Sequence, residues 1–98
     1  MTKTLYAEFT VKPGHEARVA EMMATLTTHV RNELGNLLFN AYTRESDPNS
    51  YFVFEIYRDD EAFQEHIRAD YGARFNGELS QHIEEDGSIL THLRALDE

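Results

Sequence analysis

The chain has 98 residues, 41% of them hydrophobic and 11% aromatic, with two prolines. That is enough apolar content for one packed core, too much for a disordered segment, and nowhere a run long enough to span a membrane. Nine Lys and Arg against eighteen Asp and Glu give a formal charge of -9, which repels nucleic-acid phosphates and anionic lipid alike, and the absence of cysteine excludes disulfides, thiol nucleophiles and Cys-ligated metals or clusters.

Met1 to Tyr6 holds no apolar stretch of signal-peptide length, so cytoplasmic residence is expected. From residue 4 to 12 the chain alternates, with Leu5, Ala7, Phe9 and Val11 on one side and Tyr6, Glu8 and Thr10 on the other, the period of a strand. Lys12-Pro13-Gly14 breaks it. From Glu16 the spacing of Val19, Met22, Met23, Leu26 and Val30 marks one stripe of a helix, with Gly35 expected as its left-handed terminus. Leu37 to Arg44 and Tyr51 to Arg58 read as the arms of a hairpin around the turn formers of 45–50. Asp59 or Asp60 can cap a second helix carrying Ala62, Phe63, His66 and Ile67 on one face. After a break expected near Gly72, Phe75, Leu79 and Ile83 mark a third helical piece, and residues 88–96 a last strand.

The order β-α-β-β-α-α-β over residues 1–98, with no linker or repeat, describes a single α+β domain: a ferredoxin-like, four-stranded antiparallel sheet with helices on one face. Residues 51–57 are apolar on both sides, since Phe52, Phe54 and Ile56 alternate with Tyr51, Val53 and Tyr57. One side is left without helices, and a second copy of the same sheet is the simplest cover.

His66 is the side chain whose position invites chemistry. It is either a core histidine satisfied by a backbone carbonyl, or a general base in a pocket between its helix and the sheet. Glu55 is expected to pair with a cation where two copies meet, with a catalytic role as the alternative. Asn36 can serve as a turn residue or reach a pocket. Glu78, His82 and Asp86 repeat at helical spacing, yet without a His-Glu-x-x-His pattern they read as a solvated face rather than a metal site. Phosphate-binding glycine loops and serine nucleophile elbows are absent from the sequence.

Taken together, Val11-Lys12-Pro13-Gly14, Glu33-Leu34-Gly35-Asn36-Leu37, the strand ending Glu55-Ile56-Tyr57, and a helical His66 resemble the antibiotic biosynthesis monooxygenase family, in this order along most of the chain. The resemblance implies a dimeric α+β barrel, two sheets face to face. It implies a cofactor-independent enzyme, without metal, that oxidises a small aromatic or quinol-type substrate with O2, with His66 as base or anion stabiliser. Asn36, Phe39, Phe54, Tyr71 and Phe75 are the candidates for binding the substrate. The Gly35-Asn36 pair resembles instead the branch that isomerises phosphorylated autoinducer-like carbonyl compounds, and a non-catalytic dimeric module binding a small ligand is the third reading. Leu34 in place of proline and Tyr71 in place of a second histidine depart from the common pattern. Haem-degrading relatives are set aside, because the chain has no Trp and its first strand no Asn.

Overall fold

Alternation along the first strand decides which side chains the helices can reach. In the computed structural model, which describes residues 1–97, the chain runs β1 (Lys3–Thr10), α1 (Glu16–Arg31), β2 (Asn36–Arg44), β3 (Asp47–Tyr57), α2 (Asp60–Arg68), α3 (Asp70–Leu79) and β4 (Ile89–Leu93). The strands pair antiparallel in the order β2-β3-β1-β4, the ferredoxin-like α+β arrangement expected. Leu5, Ala7 and Phe9 of β1 are buried under the helices, and the register Leu5↔Glu55 and Ala7↔Val53 brings Val53, Glu55 and Tyr57 to the same covered face. Val19, Met22, Met23 and Val30 of α1 pack there against Phe9, Phe39 and Val53. A second cluster of Leu5, Tyr57, Ala62 and Phe63 seats α2.

The opposite face carries the other parity: Leu38, Tyr6, Phe52, Phe54 and Ile56 half-buried, with Tyr42, Ile89 and Leu93 exposed. Tyr6 and Phe52 stack across β1 and β3 at 4.7 Å. This is the apolar side that the alternation of residues 51–57 anticipates.

Several boundaries differ from the expectation, each for a local reason. The helix α1 ends at Arg31 with Asn32 as its cap, and among the described residues only Gly14 has a positive φ, at 92°. Gly35 is therefore no left-handed terminus; it is a close approach. A Cβ added there would stand 2.2 Å from Ala62 Cβ, so the entry to β2 can lie on the first turn of α2 only without a side chain. The hairpin turn is shorter than 45–50, because the strand resumes at Asp47. The break between α2 and α3 falls at Ala69, with ψ at 134°, and Gly72 lies inside α3. Ile83 does not continue a helix but bridges to Val11. Asp59 caps α2 as expected, accepting from the Ala62 amide at 2.8 Å.

Gly35→Ala should destabilise the fold by about 1–3 kcal/mol through overpacking, seen as a Tm lowered by at least about 4 °C. An unchanged Tm would mean that the connection can move away from α2.

Candidate active site

Residues two apart on a strand share a face, so β3 delivers Glu55 and Tyr57 together beneath α2. On α2, Ala62, Phe63 and His66 follow helical spacing toward the sheet, and the imidazole lies 4.9 Å from the Tyr57 ring. The connection between α1 and β2 contributes Glu33, and the first turn of α3 contributes Tyr71. These five side chains form one polar chain in an otherwise apolar layer. The Tyr57 hydroxyl donates to Glu55 Oε1 at 2.8 Å. His66 Nε2 stands 3.8 Å from the same oxygen, while His66 Nδ1 lies 3.0 Å from Glu33 Oε2. Tyr71 donates its hydroxyl to Glu33 Oε2 in a short hydrogen bond.

The electrostatics follow from burial. Glu55 is 5% exposed, and desolvation raises its pKa against the opposing pull of the Tyr57 hydroxyl and His66. Burial, reinforced by Glu55, pushes the Tyr57 phenol far up; burial and Glu33 do the same to Tyr71. Both phenols are therefore donors at any ordinary pH. An ionised carboxylate only accepts, so the proton between Glu33 and His66 belongs to Nδ1. In that tautomer the unprotonated nitrogen is Nε2, which lies on the Glu55 side, 3.8 Å from Oε1.

Beside this pair lies a cavity of about 220 Å³ between the sheet and the helices. Leu5, Ala7, Phe9, Phe39 and Val53 floor it from the strands, Phe63, Ile67 and Phe75 wall it from α2 and α3, and Glu55 and His66 are the two ionisable groups among its lining residues. A cavity of about 150 Å³ admits benzene. One or two fused rings match this one.

Of the residues singled out from sequence, His66, Phe39 and Phe75 meet at the cavity. Phe54 does not: its parity puts it on the uncovered face, paired with Tyr6 and Asn40. The amide of Asn36 donates to the Leu38 carbonyl at 3.1 Å and does not line the cavity. Tyr71 does not line this cavity; its hydroxyl meets Glu33. Glu55 does not meet a Lys or Arg on the open face, as its neighbours suggested; the register turns it to the helix side, to Tyr57 and His66. Of Glu78, His82 and Asp86, the first two meet, His82 Nε2 lying 3.0 Å from Glu78 Oε2, but α3 stops at Leu79 and the stripe does not continue as a helix to Asp86. Arg18 grips Glu78 through two hydrogen bonds of 2.6 Å and holds its carboxyl down at about 2. No group of side chains suited to hold a metal ion occurs among the described residues. Two members of the site, Glu33 and Tyr57, are not marked as site residues by the sequence pattern. For Tyr57 a signal exists, since it shares parity with Glu55; for Glu33, 33 positions from His66, no local periodicity gives one.

Residues 3–78 match the sequence profile of the antibiotic biosynthesis monooxygenase family. The fold is shared with a protein of Mycobacterium tuberculosis (TM-score 0.91, 20% identity, 100% of this chain and 98% of that one). It is shared equally with a protein of Pseudomonas aeruginosa (TM-score 0.87, 24% identity, 97% and 94% covered). A structure described as an antibiotic biosynthesis monooxygenase superposes with a TM-score of 0.89 at 20% identity, covering 98% and 99%. No curated protein matches the sequence.

Because Glu55 has a raised pKa in the folded chain, the native state holds this proton more tightly than the unfolded one, and stability falls as pH rises above the ordinary carboxylate range. Glu55→Gln removes that loss. Its Tm relative to wild type should be lowest near about pH 4 and should rise with pH above it, measured by thermal unfolding across a pH series. A difference independent of pH would show that Glu55 carries no burden of burial.

Proposed function

The chain belongs to the antibiotic biosynthesis monooxygenase family, and from that premise we propose that it oxidises a one- or two-ring phenol or quinol with O2 in the cavity beside His66. One observation carries the reading: an imidazole held through Nδ1 at 3.0 Å by Glu33, at the wall of a mostly apolar cavity of about 220 Å³.

The chemistry begins with a quinol hydroxyl placed near Nε2. His66 takes its proton, and Glu33, accepting from Nδ1, stabilises the imidazolium that results. In a dry cavity the ring anion is then the electron source for O2. A C–O bond forms at a ring carbon beside the hydroxyl, and His66 returns its proton to the peroxide. Loss of the ring hydrogen together with hydroxide releases water and leaves a new carbonyl, so one oxygen atom enters the product and the other leaves as water. Glu55 and the Tyr57 hydroxyl bound to it supply a fixed dipole at the substrate's edge. Phe39 and Phe75 hold the ring faces.

The isomerase reading requires a cation for the substrate phosphate. The cavity lining has no Lys or Arg and includes a buried carboxylate, which disfavours a phosphorylated ligand. The uncovered face supports the second part of the proposal, a homodimer in which two sheets close on each other through Phe52, Phe54, Ile56 and Tyr6, leaving each helix-covered cavity intact. Among the described residues no helix is long and apolar enough to cross a membrane, and a cytoplasmic setting belongs to the same proposal.

The test is oxygen uptake with naphthohydroquinone, following hydroxynaphthoquinone formation under isotopically labelled O2. The label should appear once in the product, and His66→Ala should lower kcat by roughly 10²–10⁴. Unchanged turnover in His66→Ala, or faster conversion of a phosphorylated carbonyl compound, would reject the assignment. X-ray scattering should return the mass of two chains; a monomer at micromolar concentration would reject the dimer.

A further inference from the structure

On the outer side of the helix layer, away from the open sheet face, α1 and α3 enclose a groove of about 370 Å³. Its floor is apolar, made by Met22, Leu26 and Phe75. One end is walled by His29 and Tyr71, whose rings stack at 4.7 Å with 17° between planes. The charges at its rim are uneven. Arg18 and Glu78 neutralise each other in the two-pronged contact described above, and Glu21 also binds Arg18. Arg74 is exposed and, among the described residues, makes no ion pair; of the two carboxylates one turn away on its helix, Asp70 is not paired with it and Glu78 is held by Arg18. A chain with a formal charge of -9 thus keeps one uncompensated guanidinium above an apolar trough.

We propose that this groove is a second ligand site, for an organic anion with a flat apolar body, and that its occupancy is communicated to His66. The anion pairs with Arg74, and the body lies on Leu26 and Phe75 against the His29–Tyr71 stack. Two residues link the groove to the inner cavity. Phe75 lines both, so a ligand pressing on one side of its ring changes the wall on the other. Tyr71 has its ring in the groove and its hydroxyl on Glu33, the carboxylate that holds His66 Nδ1. A ligand that tilts Tyr71 weakens that hydroxyl contact, and Glu33, relieved of one donor, binds the imidazole more strongly. Differential contact of this kind is what coupling between two sites requires.

Binding in the groove does not depend on the oxygenase reading, so the test uses no turnover. Naphthalenesulfonate is titrated calorimetrically into the full chain, with naphthalenemethanol as the uncharged control, while the His66 ring resonances are followed by NMR. One molecule should bind per chain, and Arg74→Gln should weaken it about tenfold or more. The His66 resonances should move on binding in the wild type and move less in Tyr71→Phe, where only the Phe75 contact remains. Equal affinity in Arg74→Gln, equal affinity for the uncharged control, or His66 resonances that do not respond would each overturn the assignment.

Discussion

A carboxylate on the covered face of a small sheet is the constraint from which the rest of the site follows. Glu55 is 5% exposed and sits among Leu5, Phe39 and Val53, where ionisation is disfavoured unless donors surround it. Tyr57, two residues along the same strand, provides one donor at 2.8 Å. His66 from α2 sets its unprotonated Nε2 3.8 Å from the same carboxylate, where it donates nothing, while its Nδ1 is held at 3.0 Å by Glu33 from the chain leaving α1. Three separate elements thus meet at one end of the cavity.

The same layer explains why the glycine at position 35 matters. The approach of 2.2 Å that a side chain there would make to Ala62 measures how tightly the α1–β2 connection is drawn onto α2. That closeness carries Glu33 within hydrogen-bonding distance of His66. Backbone packing thus sets the side-chain geometry, and the imidazole tautomer follows from it. Most of the remaining lining is apolar, with Asn76 and Ser88 the polar exceptions, so few neighbouring groups screen the charges of this pair.

Much of the architecture was legible because its signals are periodic. Alternation in β1, the Val19-to-Val30 stripe and the Asp59 cap each state their element locally, and all three stand as expected. The covered side of β3 was not legible in the same way, since Tyr51, Val53 and Tyr57 are as apolar as Phe52, Phe54 and Ile56. Only pairing with β1 decides between the two parities, and that choice moves Glu55 inward and Phe54 outward together. His66 could be placed on a helix face by spacing, but Glu33 could not be joined to it, because a contact between positions 33 apart arises from chain packing alone. Tyr71 shows the same limit: its ring suggested a wall, whereas its hydroxyl is what the site uses.

The proposed chemistry depends on one protonation pattern, with Glu33 holding the proton on Nδ1 and leaving Nε2 of His66 free toward Glu55 and the cavity. Imidazole nitrogen chemical shifts in uniformly ¹⁵N-labelled protein at neutral pH report this directly. A protonated Nδ1 and a pyridine-like Nε2 are expected for His66 in the wild type, with the preference lost in Glu33→Gln. A His66 that carries its proton on Nε2, or averages between tautomers as a solvated imidazole does, would contradict it.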